Sequence, residues 1–362
     1  AAAFAADVTD YELAVNGKRV TSANATDILD DGKASYEDAT RTLTLSGDIS
    51  VTDNAVNPSG KQLTVTGKST VTGAQRDRYA GFYSGGEPIK VAADADITLD
   101  TFGFGINAMG ADISGNMKIC NAEYGVNGMG ATVESGGKLI IQNADNAVSG
   151  GGAKVHGTLE IDEAGTAVDG SGVTVESGGV VTITGATSGL NGRSTVDDGS
   201  LSVSAKTCID NGEVIFKSGT LKLDSANHET IALNKLTVTA ADFWYRTAKD
   251  GTWTKVTSSS WTRPDDAVYF EITTDDPAAT HYTVTFNLNG GSSWGTNDSW
   301  ISQIGGRWND SHNQVSFTTQ TGDEGECLNV PLMEGMAPER NDYKFVGWYT
   351  AAVGGEPVER QS

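Results

Sequence analysis

The chain has few of the residues from which proteins build metal sites and disulfide frameworks. Only three of its 362 residues are cysteine, and Cys120, Cys208 and Cys327 are far apart, with no CxxC spacing. Neither a zinc site nor a disulfide framework is therefore indicated. The four histidines are also scattered, which argues against a histidine metal site. No apolar run is long enough to span a membrane, so we expect no membrane insertion.

Positive charge is scarce as well. The chain has 25 Lys and Arg against 47 Asp and Glu, which gives a formal net charge of −22. Such a surface repels phosphate groups, so we expect neither nucleic acid nor an anionic membrane as a partner. The acidity is compatible with divalent cations, although a solvated, secreted surface is the simpler explanation.

Helical periodicity is nearly absent, whereas Gly (45 of 362 residues), Thr, Val, Ser and Asp are abundant. This composition indicates an all-β protein. Tryptophan is absent before Trp244, and all seven tryptophans lie from that residue onward. The shift in composition near residue 242 therefore predicts a domain boundary.

The feature that the chain does have is a repeat of about 20 residues between Val91 and Asn234. Each repeat contains two apolar residues separated by one residue that is usually polar, which is the pattern of a strand with one buried face. The pairs are Ile97/Leu99, Met117/Ile119, Leu139/Ile141, Leu159/Ile161, Val181/Ile183, Leu201/Val203 and Leu221/Leu223.

Two further apolar positions accompany each pair. One follows it, at Ile106, Val126, Val148, Val168, Leu190, Ile209 and Ile231, and one precedes it, at Val91, Ile113, Val133, Val155, Val175, Val196 and Ile215. Three short apolar sides with turns between them predict one coil of a β-solenoid. Each strand is too short to be stable alone, so stacking on the next coil must supply its hydrogen bonds and its burial.

Two more columns appear when the repeats are aligned. One is an alanine column of Ala122, Ala144, Ala164, Ala186, Ala205 and Ala226, and the other is a polar column of Asn107, Asn127, Ser149, Asp169, Asn191 and Asp210. Asn and Asp tolerate the left-handed turn conformation and bond to neighbouring backbone. We therefore interpret the polar column as corner residues and not as a catalytic row.

These patterns predict a right-handed parallel β-solenoid with end caps, followed by a small β-grasp-like module. We expect an N-terminal cap hairpin at 8–41, the solenoid at 42–241, C-terminal cap strands at 242–276 and the small module at 282–358. A solenoid needs caps because its terminal core and edge strands would otherwise be exposed.

The C-terminal module resembles the internalin B-type repeat of bacterial surface proteins. The resemblance lies in Tyr282-Thr-Val-Thr-Phe-Asn-Leu-Asn-Gly-Gly291 and Tyr343-Lys-Phe-Val-Gly-Trp-Tyr349. The closing strand that the family has after the second motif is missing, so we expect a truncated module. A long insertion at about Ser292–Gly325 also departs from the family pattern.

The front of the chain is similar to bacterial extracellular carbohydrate-binding β-helix proteins. The similarity lies in Tyr11–Thr21, Asp27–Tyr36 and the Thr42-Leu-Thr-Leu that follows. It implies an exported polysaccharide-binding protein with calcium as a candidate cofactor.

Two groups of aromatic residues are candidates for carbohydrate binding. Trp294, Trp300 and Trp308 lie in a polar segment rich in Gly and Asn, and Tyr79, Phe82 and Tyr83 lie in a loop predicted from Arg76 to Pro88. Aromatic faces suit the apolar C–H faces of sugar rings. The alternative is that the tryptophans fill a local core and that the loop packs against the solenoid.

Asp27, Asp30 and Asp31, which precede Gly32, are tentative calcium ligands. Their spacing is not that of a helix-loop-helix calcium site, and Asp-Gly turn chemistry is the simpler explanation.

A solenoid provides long faces for binding but no active site as such. Seven consecutive coils show almost no insertions from which a catalytic cleft could be built. We therefore expect no enzyme but a secreted or cell-surface protein that binds polysaccharide, including acidic glycans. A structural adhesin or stalk that binds a host surface protein, and a polysaccharide lyase or hydrolase, remain the alternatives.

Overall fold

The computed structural model of the protein describes residues 8–257, 261–278, 281–289, 306–309, 313–320, 346–349 and 357. The chain divides into two compact units, Ala1–Thr274 and Asp275–Ser362. The described residues form strands and turns with one short 3-10 helix at Leu233–Lys235, and they contain no α-helix.

The strands of the first unit up to the middle of the repeats are β1 (Asp10–Val15), β2 (Lys18–Thr21), β3 (Ala34–Glu37), β4 (Thr42–Val51), β5 (Val56–Asn57), β6 (Leu63–Gly73), β7 (Ala80–Ser84), β8 (Ile89–Val91), β9 (Asp96–Asp100), β10 (Phe104–Ala108), β11 (Ala111–Ile113), β12 (Asn116–Cys120), β13 (Tyr124–Gly128) and β14 (Ala131–Val133). They are followed by β15 (Lys138–Val148), β16 (Ala153–Val155), β17 (Thr158–Val168), β18 (Val173–Val175), β19 (Val180–Leu190), β20 (Arg193–Val196), β21 (Gly199–Ile209), β22 (Glu213–Phe216), β23 (Gly219–Ser225), β24 (Leu236–Val238), β25 (Phe243–Arg246), β26 (Thr254–Val256) and β27 (Tyr269–Thr273). The second unit contains β28 (His281–Asn287), β29 (Arg307–Trp308) and β30 (Gln314–Gln320).

The first unit is a parallel β-solenoid of about nine turns, as predicted. Its turns contribute strands to three parallel stacks, called face A, face B and face C. Face A runs through β9, β12, the first halves of β15, β17, β19 and β21, and β23. Face B runs through β8, β11, β14, β16, β18, β20, β22 and β24. Face C runs through β7, β10, β13 and the second halves of β15, β17 and β19.

The apolar pairs form the inner side of face A. Leu139, Leu159, Val181 and Leu201 stack in register, and each is fully buried. Fully burying an aliphatic side chain contributes about 1.5–3 kcal/mol. Because each side chain is covered by its counterpart in the next coil, this stabilisation exists only in the stack.

The last repeat departs by one residue from the predicted columns. Phe216, and not Ile215, pairs with Val196 and points into the core. Ser225, and not Ala226, pairs with Ala205 and is buried, while Ala226 is exposed. The prediction was wrong at these two positions. At each of them two adjacent residues could occupy the buried position, and only the register of the strands decides which one does.

The loop predicted from Arg76 to Pro88 is also wrong in part, because it contains strand β7. Phe82 pairs with Ile106 of β10 and continues the inner column of face C. Phe82 lies 11 residues after Val71, whereas Ile106 lies 7 residues after Leu99, the partner of Val71. An insertion of a few residues before β7 therefore hid a regular coil from the sequence pattern.

The left-handed corner lies elsewhere than predicted. Thr101, Asn121, Asn143 and Glu163 have φ of 62°, 52°, 53° and 55°, whereas the predicted polar column has no positive φ. The side chains at this corner form a ladder, in which Asn143 donates to Asn121 (2.6 Å) and Asn121 donates to Asp100 (2.7 Å). The predicted polar column forms a second ladder, with Asn191 donating to Asp169 at 2.9 Å.

Antiparallel strands close both ends of the solenoid. At the start, β1 and β2 form a hairpin around Asn16 and Gly17, β1 pairs with β5, and β3 pairs with β4. At the other end, β27 pairs antiparallel with β23, and β25 pairs with both β27 and β26. Phe243 and Tyr245 of β25 pack with Trp261 beneath this cap sheet, with ring centroids 5.5 Å and 5.8 Å apart.

The second unit contains an antiparallel sheet in which β30 lies between β28 and β29. Phe286 of β28 is buried and packs edge-on against Trp348, with ring centroids 4.8 Å apart. Val315 of β30 is fully buried as well.

Replacement of Ile161 by Asp tests the stack. Ile161 is 1% exposed and lies between Ile141 and Ile183. An unpaired carboxylate there is expected to lower the free energy of unfolding by more than about 4 kcal/mol and to abolish cooperative unfolding. Thermal and denaturant unfolding measure the change. The matched control is Thr158→Asp on the outer side of the same strand, which should unfold like the parent, and equal curves for the two variants would contradict the stacked core.

Replacement of Gly172 by Ala tests the close approach of neighbouring coils. Gly172 has φ of +82°, and an added Cβ would lie against the carbonyl of Arg193. Gly47 also has positive φ (+64°), but its Cβ would meet nothing. We expect Gly47→Ala to cost about 1–2 kcal/mol for the backbone conformation alone, and Gly172→Ala to cost at least about 1–3 kcal/mol more. Denaturant unfolding compares them, and equal costs would show that the coils are not in this close contact.

Candidate functional site

The aromatic residues predicted in the Arg76–Pro88 segment do not share one surface. Phe82 is 0% exposed and belongs to the core, so its ring is not accessible to a ligand. Tyr79 packs against the core with the Arg78 guanidinium 5.3 Å from its ring centroid. Tyr83 is 38% exposed and remains accessible at the outer side of face C.

The tryptophans predicted to bind sugars fall mostly outside the described residues. Trp294 and Trp300 both lie outside them. Trp308 is described, on β29, where it pairs with Val315 of β30 and is half-buried.

The three predicted calcium ligands serve the local turn and ion pairs. Asp27 Oδ1 accepts hydrogen bonds from the backbone N–H groups of Asp31 and Gly32, at 3.1 Å and 2.9 Å. Asp30 forms an ion pair with Lys18, and Asp31 forms one with Lys33 at 3.7 Å. Within the ranges that the structure describes, no group of three or more His, Cys, Asp or Glu residues could hold a metal ion.

The outer side of face A is a regular surface that runs along the solenoid. Its last parallel coils present hydroxyl groups in adjacent columns, from Thr182, Thr184, Ser200, Ser202, Ser204 and Thr220. The columns follow from the alternation of strand side chains, since the neighbours Val181, Leu201 and Leu221 point into the core. The result is a flat surface of hydrogen-bonding groups about 4.8 Å apart along the solenoid axis.

The cap sheet continues two of these columns without a break. Opposite residues of antiparallel strands lie on the same side of a sheet. One column therefore runs from Thr220 through Thr273 and Trp244 to Lys255, by the pairing of β23, β27, β25 and β26. The second runs from Lys222 through Glu271 to Arg246, and Trp253 lies next to Arg246 immediately before β26.

We call the cluster of Lys222, Trp244, Arg246, Trp253, Lys255 and Glu271 the cap-end surface. It contains two cation–π contacts: the Lys255 ammonium lies 4.6 Å from the Trp244 ring centroid, and the Arg246 guanidinium lies 4.6 Å from the Trp253 ring centroid. Each cation is thus held against an aromatic face at the end of a row of hydroxyl groups.

One ion pair organises the cap-end surface. Arg246 donates to Glu271 Oε2 through Nε (2.8 Å) and Nη2 (2.6 Å), and the two side chains are only 21% and 15% exposed. The phenol of Tyr269 donates to the same oxygen at 2.6 Å. Burial, together with the hydrogen bond and the charge of Glu271, raises the pKa of Tyr269 to about 12. Glu271 is therefore held in place from two sides.

Sequence reasoning assigned residues 242–276 to an end cap and did not identify this cluster. The alternation of Trp244 and Arg246 was visible in the sequence. The antiparallel pairing of β27 with β23 of face A brings these residues next to Lys222. This pairing was not visible in the sequence, because the cap segment contains no repeat.

The C-terminal part of the chain is similar to a known repeat domain. Residues 282–362 match the model of the Listeria-Bacteroides repeat domain. The match covers the module that resembles an internalin-type repeat, and such domains occur in surface proteins. No curated protein and no solved structure matches the chain significantly.

The repeat-domain match and the solenoid together fit a surface-associated repeat protein. In the part of the chain that the structure describes, no helix is both long enough and apolar enough to cross a membrane.

The hydrogen bond between Tyr269 and Glu271 predicts a late phenol titration. We expect the tyrosinate absorbance step that is lost in Tyr269→Phe to have its midpoint near pH 12 instead of the ordinary 10. Because the folded state favours the neutral phenol, this group leaves stability unchanged below pH 10 and lowers it between about pH 10 and about 12. Glu271→Gln should lower the midpoint, but not fully to the ordinary pKa, because burial also raises the pKa of Tyr269. A step at the ordinary pKa in the parent protein would contradict this geometry.

Proposed function

We propose that the protein binds polysaccharide without catalysing its cleavage, at the surface of a bacterial cell or after secretion. The observation on which the proposal rests is the outer side of face A, where hydroxyl columns lead without interruption into the cap-end surface. Sugars offer many hydroxyl groups at the rim of rings whose C–H faces are apolar. A flat surface with hydroxyl side chains and half-buried tryptophans complements both features.

The extended shape of the surface favours a polymer over a small ligand. From β17 to β26 the outer side of face A spans seven strands, counted as β17, β19, β21, β23, β27, β25 and β26. At about 4.8 Å between neighbouring strands this is roughly 29 Å. Many weak contacts along such a length give a polymer useful affinity even where each contact is weak.

The match to the Listeria-Bacteroides repeat domain supports a location at the cell surface. The similarity of the first residues to extracellular carbohydrate-binding β-helix proteins supports the same location and the same class of ligand. The same similarity implies calcium as a cofactor, although the described residues contain no group of three or more His, Cys, Asp or Glu that could hold it.

A structural adhesin that binds a host surface protein is the second candidate. Met109 and Met129 are 47% and 63% exposed, and they lie on neighbouring coils near the exposed Tyr83. Exposed methionine and tyrosine side chains suit a protein interface better than a sugar. This patch lies at the end of face C, so a protein partner and a glycan would occupy different faces.

A glycan array separates the two candidates. The chain is applied to neutral and acidic polysaccharides in calcium and again in chelator, and the same mixtures are assayed for reducing ends and unsaturated products. We expect selective binding without product release. Loss of binding in chelator would assign calcium a part in it.

The controls for the array are variants of the two surfaces. Ser202→Glu introduces a bulky negative charge in the middle of the face A columns and should weaken binding of neutral and acidic glycans, whereas Met129→Glu on face C should not. Absence of binding to any glycan would refute the proposal and leave the adhesin, and release of product would refute the non-catalytic role.

A further inference from the structure

The chain has a formal net charge of −22, yet the cap-end surface concentrates cations. Lys222, Arg246 and Lys255 lie on three strands of one sheet, with Glu271 between them and Asp224 in the next column. Arg246 is neutralised by Glu271 at 2.6 Å. Among the described residues, no carboxylate lies within ion-pair distance of Lys222 or Lys255.

The two unpaired lysines are instead held by aromatic rings. The Lys255 ammonium lies 4.6 Å from the Trp244 ring centroid, and the Lys222 ammonium lies 5.9 Å from the Tyr269 ring centroid. A ring face attracts a cation but leaves its hydrogen-bond donors free for an anion. Arg246, held between Glu271 and Trp253, in turn fixes the indole of Trp253.

From this arrangement we infer that the cap-end surface binds the carboxylate groups of an acidic polysaccharide, a polymer of uronic acids. This inference rests on the proposed function and names the class of glycan. The Lys222 and Lys255 ammonium groups donate to sugar carboxylates, the tryptophans contact the apolar ring faces, and Ser202 donates to sugar hydroxyls further along face A.

The spacing of the groups fits a polymer better than a single sugar. Lys222 is on β23 and Lys255 is on β26, with β27 and β25 between them. Three strand spacings of about 4.8 Å separate the two backbones by roughly 14 Å. A span of this size is longer than one sugar unit, which suits successive acidic units of one chain.

Other acidic polymers fit the surface less well. A nucleic acid or an anionic membrane meets a protein through many phosphates, and the acidic remainder of this chain repels them. A sugar chain carries one carboxylate per acidic unit and has apolar ring faces for Trp244 and Trp253. The half-buried Lys222 and the exposed Lys255, beside two indoles, match that density of charge.

The test uses the full chain with polygalacturonate, alginate and hyaluronan, each beside its carboxyl-reduced form, at physiological salt. Carboxyl reduction keeps the sugar backbone and removes only its charges. We expect at least one of the three acidic polymers to bind, with its reduced form at least about tenfold weaker, as expected for loss of charged hydrogen bonds.

A double variant, Lys222→Gln with Lys255→Gln, locates the binding. Neither lysine is in an ion pair with a described carboxylate, so the variant should melt like the parent and bind the acidic polymer at least about tenfold more weakly. The matched control is Lys90→Gln with Lys118→Gln, which likewise removes two lysine charges, from β8 on face B and from β12 on face A, five strands before Lys222. Its affinity should stay within about twofold of the parent.

The outcomes distinguish this inference from the proposed function. Equal binding of an acidic polymer and its reduced form, or full affinity in the double variant, would overturn the acidic site and leave a polysaccharide-binding protein. Binding of neutral glycans on the array with none of the three acidic polymers bound would do the same. Only the absence of all glycan binding would overturn both.

Discussion

Every strand of the solenoid depends on the main-chain hydrogen bonds that it shares with the coils before and after it. The backbone N–H of Asn116 donates to Ala95 of the previous coil, and that of Lys138 donates to Gly115. A strand as short as Asp96–Asp100 cannot satisfy its own donors and acceptors. The buried columns, the corner ladders and the outer columns therefore all depend on coils that stack in one register. The antiparallel caps are required for the same reason, since the first and last coils have only one parallel neighbour.

This constraint acts differently on the two sides of each strand. An inward residue such as Ile161 is enclosed by Ile141 and Ile183, so its size and polarity are fixed. The adjacent outward residue Glu160 pairs with Ile140 and Thr182, forms an ion pair with Lys138 and is otherwise open to solvent. Function can vary along the outer columns at little cost to stability. Face A illustrates this, because one column changes from Lys118 through Ser202 to Lys222 over an unchanged core.

The fold was largely predictable from the sequence because the inward-facing apolar residues recur at the same positions of each repeat. The apolar pairs, their spacing and the need for caps follow from residues that must be buried. The register in the last coil was not predictable, since Ile215 and Phe216 are both apolar and only pairing with Val196 selects Phe216. Strand β7 was missed because an insertion displaces Phe82 from the period, and this also made a core ring look like a ligand contact.

The candidate site was less predictable than the fold, for a physical reason. A repeat pattern states which residues recur, whereas the cap-end surface joins Lys222 of the last coil to Trp244 and Lys255 of a segment that has no repeat. Their proximity is created by β27, which returns antiparallel along β23 and brings β25 with it. Sequence reasoning selected tryptophans by the polarity of their neighbours, and so it chose Trp294, Trp300 and Trp308. The pairing between strands, which the sequence does not reveal, places Trp244 and Trp253 next to the cations.

An acidic protein that binds an acidic polymer has to confine its attraction to short range. The Debye length at physiological salt is about 8 Å, so carboxylates more than a few strands from the cap-end surface are largely screened there. Lys222 and Lys255 act within that distance, and their contacts with Tyr269 and Trp244 lower the local dielectric in which they meet an anion. The net charge of −22 then repels mainly those acidic polymers whose charges are not spaced to meet Lys222 and Lys255. The overall charge disfavours non-specific binding, while the local arrangement of two unpaired ammonium groups beside two indoles determines which anion can bind.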